Sequence, residues 1–187
     1  MLQTKAPQIT RYDYEGMPEG PPYYQVVEGG LIMSPSPATY HQIIAGRIYS
    51  LILRFLERKP IGEVFIAPLD VFLTDVNIYQ PDVVFVSNRR RPMITEHGIE
   101  GAPDLVVEIL SPGTARLDKG SKRKIYGRTG VTELWLVDPV ARLLHIYDLA
   151  KNPETPAMTY SEKAVFTSPL LPGLRLRTSS IFKSPFR

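Results

Sequence analysis

The pattern of apolar and polar residues predicts several buried strands, and residues 105–110 form the clearest of them. Five of these six residues are apolar, and the run lies between Pro103 and Pro112. A nearly continuous apolar run with such boundaries is typical of a strand that is covered on both faces. Residues 81–86 and 131–137 have the same character, so three buried strands are expected.

Two amphipathic helices are also predicted. In the first, apolar residues recur at spacings of three and four, which places them on one face. Ser36 is the expected N-cap and Pro37 the first helical residue, and the helix is expected to end near residues 59–60. His41 lies on the same apolar face. The second helix is expected over residues 118–128.

The remaining residues are assigned to an arm, a hairpin, further strands and loops. Residues 1–22 are rich in Pro and Gly and are expected to form an extended arm, with residues 23–187 as a single domain. Residues 23–33 alternate around a Glu-Gly-Gly turn, which indicates a hairpin. Further expected elements are strands at residues 62–67, 69–73, 143–149 and 157–166, a turn at 75–77, a loop at 87–103 and a basic tail at 174–187.

Composition narrows the classes of function. The chain of 187 residues has no cysteine, which excludes disulfides and thiolate metal sites. The start of the sequence lacks the apolar stretch of a signal peptide, and no apolar run approaches the roughly 20 residues of a membrane span. We therefore expect a cytoplasmic protein that is not bound to a membrane. The formal net charge of +3 permits a polyanionic partner without demanding one.

The residue that demands an explanation is Glu108, which interrupts the most apolar predicted strand. An unpaired ionised carboxylate in such a place costs several kcal/mol, so it needs a cation, a strong hydrogen-bond donor or a proton. Side chains alternate between the faces of a strand, so Glu108 shares its face with Asp104 and Val106. A lysine two positions after Glu108 would share its face, but that residue is Leu110, so the next candidate cations lie on the following helix.

The second predicted helix supplies a candidate amine. Asp118, Lys122 and Tyr126 are four residues apart and therefore share one helix face. If that face packs on the sheet, Lys122 reaches the neighbourhood of Glu108, and Asp82, which leads another buried run, is a candidate second carboxylate. Two carboxylates suit Mg²⁺, which prefers oxygen ligands and retains several waters. Such an ion lowers the pKa of bound water and neutralises charge on a phosphoryl group.

The order of these segments resembles the family catalogued as putative restriction endonucleases, a domain of unknown function within the PD-(D/E)XK nuclease superfamily. The matching segments are residues 24–33, 34–42, Gln-Pro-Asp-Val at 80–83, residues 98–101, Ala-Pro-Asp-Leu-Val-Val-Glu-Ile-Leu-Ser-Pro at 102–112, Asp118 with Lys122 and Tyr126, Gly-Val at 130–131, Glu-Leu-Trp-Leu-Val-Asp-Pro at 133–139 and Leu-Pro-Gly-Leu at 171–174. Together they cover residues from about 23 to 182. The ordered combination, rather than any single segment, carries the resemblance.

The resemblance implies an α/β (α+β) fold with a restriction-endonuclease-like core, in which a mixed central sheet is flanked by helices. It implies a Mg²⁺-dependent endonuclease, with Mn²⁺ as a substitute, that acts on DNA. Asp82, Glu108 and the backbone carbonyl of Ile109 are the implied metal ligands. Lys122 stands for the lysine that is usually found two residues after the acid, and His41 matches a position at which the family also carries histidine.

The turn of the predicted hairpin departs from the family pattern. The family commonly has an acid where this chain has Gly30, and the turn here reads Glu28-Gly29-Gly30. If that acid assists the metal in relatives, this protein lacks it or uses Glu28 instead. The departure keeps open a catalytically decayed protein that binds nucleic acid, and a small-molecule phosphodiesterase on the same core is a third possibility.

Each candidate also has a purely structural interpretation. Glu108 is alternatively a buried acid paired with arginine or backbone amides, and His41 a satisfied core histidine. Asp82 is alternatively a turn residue, and Asp118 and Lys122 an exposed ion pair. Asp104 is more typical of a strand start than of a metal ligand, so it is assigned only a supporting role.

Phosphate contacts are expected from basic residues on the loop and on the second helix, and a homodimer is the economical way to address two strands. The candidates are Arg89, Arg90, Arg91, Lys119, Arg123 and Lys124, with Arg128 as a further residue of the same helix. The arginine run is equally typical of a solvated loop. Ser111 lacks the Gly-x-Ser-x-Gly surroundings of a hydrolase nucleophile.

Overall fold

The computed structural model describes residues 7–18, 20–184 and 186, in which strands outnumber helices. The strands are β1 (Tyr24–Val27), β2 (Gly30–Met33), β3 (Gly62–Ile66), β4 (Val71–Thr74), β5 (Asn77–Tyr79), β6 (Val83–Ser87), β7 (Ile99–Glu100), β8 (Leu105–Ile109), β9 (Glu133–Asp138), β10 (Leu143–Asp148), β11 (Met158–Ser161), β12 (Val165–Thr167) and β13 (Arg175–Arg177). The helices are α1 (Arg11–Glu15), α2 (Thr39–Arg58), α3 (Ala115–Leu117), α4 (Arg123–Thr129) and α5 (Thr178–Phe182). A π-helical turn, Asp118–Lys122, joins α3 to α4, and a 3-10 helix covers Asn88–Met93.

The central sheet has six strands in the order β11-β10-β9-β8-β6-β3. Strands β8 and β9 are parallel, while the other neighbours pair antiparallel, so the sheet is mixed. All five residues of β8 are buried, which explains why its sequence reads as a continuous apolar run rather than an alternating one. The predicted mixed sheet flanked by helices is confirmed.

Two apolar cores cover the two faces of the central sheet. The long helix α2 packs its stripe of Ile44, Ile48, Ile52 and Phe55 on one face, together with α5 and the small β12–β13 sheet. On the other face, α4 and a second sheet enclose the core that includes Val106 and Leu136. Alternation along β8 therefore turns residues 106, 108 and 110 toward α4.

The second sheet has the order β2-β1-β5-β4-β7 and begins with the predicted hairpin. Its loop is two residues long, because Val27 pairs with Gly30. Glu28 and Gly29 both have positive φ, of 51° and 80°, as a type I′ turn requires, and that turn matches the twist of the flanking strands. Strand β2 forms one edge of this sheet, and its four residues are exposed.

Several local predictions were wrong. Helix α2 starts at Thr39 with Ala38 as N-cap, and no side chain caps it, so Ser36 and Pro37 lie before the helix. Residue 77, predicted as part of a turn, begins β5 and is buried. Residue 77 differs from its prediction because pairing with β4 outweighs local turn propensity.

Other segments contain more structure than was predicted. The strand expected over 157–166 is two strands, β11 and β12, which belong to different sheets. The loop at 87–103 contains the 3-10 helix and β7, and the basic tail contains β13 and α5. The described part of the arm includes the helix α1, capped by Thr10 and Asp13 in a capping box. Within the described residues, no helix is long and apolar enough to cross a membrane.

Candidate active site

Glu108 lies near the carboxyl end of β8 and is only 4% exposed. The ammonium group of Lys122 donates a hydrogen bond of 3.0 Å to its Oε1, and the hydroxyl of Tyr126 donates one of 2.6 Å to the same oxygen. The structure thus brings together the acid of the strand and the amine of the helix face. Within the described residues, the hydrogen-bond partners of the Glu108 carboxylate are thus Lys122 and Tyr126 rather than an arginine or backbone amides.

The π-helical turn is the element that aims Lys122 inward. It begins at Asp118 and ends at Lys122, and both residues are only 2% exposed. Asp118 Oδ1 lies 3.3 Å from Lys122 Nζ as an ion pair without the alignment of a hydrogen bond. One ammonium group therefore lies between two carboxylates. Such π turns are rare and occur frequently at functional sites.

The pKa of Glu108 is raised to about 7, primarily by burial. The ammonium of Lys122 opposes this shift, whereas the negative charges of Asp118 and Asp82 add to it. Burial lowers the pKa of Lys122, but Glu108 and Asp118 outweigh burial and raise it. Lys122 therefore remains charged. The surrounding carboxylates carry more negative charge than one ammonium balances, and the site favours a proton or a cation.

Asp82 lies beside the same strand end. Its Oδ2 accepts a hydrogen bond of 2.6 Å from the backbone N–H of Ile109 and lies 3.3 Å from Nε2 of His41. Burial lowers the pKa of His41, but the contact with Asp82 outweighs burial, so that the pKa is raised. A backbone hydrogen bond with Ile109 contributes to this shift. Helix α2 thus brings His41 to the site.

The donor set fits a hard divalent cation with few protein ligands. Asp82 and Glu108 would supply carboxylate oxygens, and the backbone carbonyl of Ile109 would supply a second type of oxygen at the same strand end. Oxygen ligands of this kind suit Mg²⁺, for which one or two carboxylates suffice because the ion retains water. Among residues 7–18, 20–184 and 186, no group of three or more His, Cys, Asp or Glu residues forms a metal cluster.

Two aromatic residues complete the walls of the site. The ring of Tyr79 lies 5.5 Å from Lys122 Nζ and packs edge-to-face on Tyr126. The hydroxyl of Tyr79 donates to Asn77 Oδ1, which also accepts the backbone N–H of Glu28. The pKa of Tyr79 is raised, mainly by burial and then by the charges of Glu28 and Glu108. Sequence reasoning missed Tyr79, although its position just before the 81–86 run was a usable signal.

Some predicted residues lie away from this site. Asp104 is at the opposite end of β8 from Glu108, where it accepts the backbone N–H of Ser87 at 2.7 Å and lies 3.4 Å from Arg90 Nε. Arg90 also donates to three backbone carbonyls. Because these contacts occupy both residues, Asp104 anchors the loop, and Arg90 is engaged within the protein.

The other basic candidates are either paired within the protein or exposed to solvent. The side chain of Arg123 is 8% exposed and is paired with Glu154 at 3.0 Å. Arg89 and Arg91 have side chains that are 79% and 64% exposed. Lys119 and Lys124 are also exposed. Four of the six candidates therefore present cations to solvent.

These features define a restriction-endonuclease-like fold with an acid–lysine site at the end of a central strand. A family model described as Uma2, putative restriction endonuclease, matches residues 11–179. The chain belongs to this family.

One solved structure shows the same fold. It is described as a putative nuclease belonging to DUF820 from Anabaena variabilis. Its sequence is 24% identical, the match covers 94% of this chain and 98% of that one, and the TM-score is 0.78. No curated protein matches the chain significantly.

Proposed function

We propose that this protein is a Mg²⁺-dependent endonuclease that hydrolyses phosphodiester bonds of DNA. The observation that carries the proposal is the buried contact of 3.0 Å between Lys122 and Glu108, next to Asp82 at one strand end. Membership in the Uma2 family supports the coarser assignment as a nuclease. A buried ion pair alone is weak evidence for stability, so its placement beside a further carboxylate favours a functional role.

In this proposal, Asp82, Glu108 and the carbonyl of Ile109 hold Mg²⁺ or Mn²⁺. When bound, the ion lowers the pKa of water and stabilises charge on the phosphoryl group. Tyr126 fixes the orientation of the Glu108 carboxylate through its hydrogen bond of 2.6 Å. His41 does the same for Asp82.

Lys122 acts on the substrate side of Glu108. Its ammonium group has three N–H donors, of which one is used for Glu108. Asp118 lies 3.3 Å from the same ammonium group as an ion pair, which leaves the donor that points away from the two carboxylates to orient the attacking water and to stabilise negative charge on the phosphoryl oxygens. Because burial keeps bulk water away, such a charge interacts more strongly than it does at the surface.

The exposed cations supply contacts to DNA that do not depend on base sequence. Arg89 and Arg91 belong to the 3-10 helix, and Lys119 and Lys124 lie on the π-helical turn and on α4. A homodimer would place two such sites on the two strands of a duplex.

The experiment is a nicking assay on supercoiled plasmid with purified protein. We expect nicking with Mg²⁺ or Mn²⁺ and none in EDTA. We also expect Mg²⁺ to raise the melting temperature, because an ion that binds only the folded state at 100 times its Kd adds about 2.7 kcal/mol. Asp82→Asn and Glu108→Ala should remove both effects. Nicking that survives Glu108→Ala would overturn the assignment of this site.

A catalytically decayed nucleic-acid-binding protein is the second candidate. The described residues contain no group of three or more His, Cys, Asp or Glu that could hold a metal ion, and the hairpin turn has Gly30 rather than an acid, which favours this alternative. Binding with a steep salt dependence, no metal-dependent nicking and no thermal shift with Mg²⁺ would select it.

A further inference from the structure

A second feature lies on the outer side of the π-helical turn. It is a cleft of about 720 Å³ between strand β2 and the segment that follows β8. Ile32, Met33 and Pro35 form one wall, and Arg116, Leu117 and Gly120 belong to the other. The inner side of the same turn carries the buried Asp118 and Lys122. The cleft and the proposed catalytic amine are therefore positioned by one element.

The lining of the cleft is apolar with a single charge. None of its lining residues is acidic, and Arg116 is the only charged one among them. The β2 wall is unusually apolar for an exposed edge, since Met33 is 57% and Ile32 36% exposed. Edge strands normally carry charges or proline against unwanted pairing. A contiguous exposed apolar surface beside a proposed active site indicates a ligand.

The chemistry of the cleft selects among possible ligands. Its volume falls within the range of about 300–1,000 Å³ that is typical of ligand sites. Arg116, the charged residue of the lining, favours an anion. A flat, apolar group that is attached to a phosphate satisfies both requirements, and a nucleobase on a phosphodiester chain is such a group. A base within an intact duplex is stacked and paired, so it must be unpaired to enter.

We propose that this cleft binds an unpaired nucleobase of the strand that is cut, with Met33 and Ile32 in contact with the base and Arg116 with an adjacent phosphate. This inference rests on the proposed nuclease function and narrows its substrate class. The preferred substrates are single strands and duplexes with unpaired or unstacked bases. Apolar side chains such as Ile, Met and Pro are those that proteins insert between bases.

The test measures binding in EDTA, so that no cleavage occurs, by fluorescence anisotropy of a labelled oligonucleotide. We expect the single strand to bind more tightly than the fully paired duplex. An abasic residue is then moved along the single strand one position at a time. At one position it should weaken binding to the wild type about tenfold, which corresponds to the loss of one stacked base.

Variants of Met33 show whether that loss occurs in the cleft. Met33→Gln removes the apolar contact without adding charge, and it should weaken binding of the intact strand by a similar factor. The abasic position should then have no further effect on this variant. Met158→Gln is the matched control, because Met158 is 53% exposed on β11, the edge of the other sheet. It should bind like the wild type.

The outcomes separate this inference from the proposed function. If the wild type nicks plasmid but no abasic position alters its affinity, the base-binding inference fails and the nuclease assignment stands. If the wild type binds no nucleic acid and nicks none, the proposed function fails as well. Light scattering of the wild type and of both Met variants measures their oligomeric state. A dimer that becomes monomeric only with Met33→Gln would show that a second copy covers the cleft, which overturns the inference.

Discussion

Two buried glutamates on neighbouring parallel strands show how surroundings determine the use of one residue type. Glu108 near the end of β8 is 4% exposed, and Glu133 at the start of β9 is 5% exposed. Glu133 accepts a hydrogen bond from the indole N–H of Trp135, and its pKa is raised mainly by burial. Glu108 has an ammonium partner, and two further carboxylates lie near enough to raise its pKa.

The two glutamates differ in the balance of charge around them. At Glu133 a neutral donor, the indole of Trp135, holds the carboxylate, and no cation of the described part of the chain is paired with it. Glu133 lies at the end of the strands opposite to Glu108. At Glu108 the cation is present, yet the acids outnumber it. A buried acid that is merely satisfied needs only a donor, whereas a cluster with surplus negative charge favours a proton or a divalent ion. Burial alone therefore does not indicate function.

The largest expected effect is a difference in nicking activity between variants of the two glutamates. Glu108→Gln keeps the volume but removes the charge, and we expect it to lower plasmid nicking about 10²–10³-fold, as losses of key electrostatic groups do. Glu133→Gln should leave nicking within about threefold, because Glu133 makes no contact with the site. Initial nicking rates at saturating Mg²⁺ check this. Equal losses in the two variants would remove the distinction.

The next effect tests how much the ammonium stabilises the fold. Lys122→Met leaves Glu108 and Asp118 buried without their cation, and we expect a loss of about 3–5 kcal/mol in the free energy of unfolding. The double variant Lys122→Met/Glu108→Gln should recover part of this loss, since it removes one of the unpaired charges. Urea unfolding of the single and double variants gives both values. A single variant as stable as the wild type would show that the pair contributes nothing.

A smaller effect, on the pH dependence of stability, follows from the raised pKa of Glu108. The folded pKa of about 7 lies above the ordinary value of 4.5, so the folded state retains a proton that the unfolded state has lost. Stability is therefore fully present below about pH 4.5 and decreases as the pH rises to about 7, by about 3 kcal/mol in the absence of metal. Glu108→Gln should flatten this part of the curve. Denaturant unfolding in EDTA between pH 4 and 8 measures it, with Glu133→Gln as the comparison.

The smallest expected effect is the change in stability when Glu133 itself is substituted. Because burial raises its pKa, its ionised form is disfavoured in the folded protein at neutral pH. Glu133→Gln keeps an oxygen that accepts from Trp135 and should stabilise the protein by up to about 1 kcal/mol. Thermal unfolding at pH 7.5 and at pH 4.5 checks the sign, since the gain should be smaller at the lower pH, at which the unfolded chain also retains much of the proton.

Much of the fold and of the site geometry was readable from the sequence. The apolar run around Glu108 indicated a fully covered strand, and the spacing of Lys122 and Tyr126 indicated a shared face. Both side chains do contact Glu108. These predictions needed only periodicity within one element and one packing assumption. The catalytic roles of these residues stay predictions.

The rest depended on contacts between elements that no local pattern encodes. Tyr79 reaches Lys122 only because the second sheet packs on the central one. Arg90 is engaged by carbonyls of residues 102, 103 and 130, which lie far from it in sequence. Asp104 shares a strand face with Glu108, but four residues of strand separate them by about 13 Å. Sharing a face did not imply sharing a site.

The π-helical turn has a consequence for how this protein tolerates changes of length. A π turn contains one residue more than an α-helical turn, and one residue of α-helix corresponds to a rotation of about 100°. Because the surplus residue is what the π turn accommodates, deletion of Gly120 would leave an ordinary helical turn and keep Tyr126 in nearly the same helical phase, whereas a deletion within α4 before Tyr126 would rotate that side chain around the axis by about 100°. We therefore expect this segment to tolerate the loss of Gly120, around which there is open space, better than the loss of one residue from the first turn of α4.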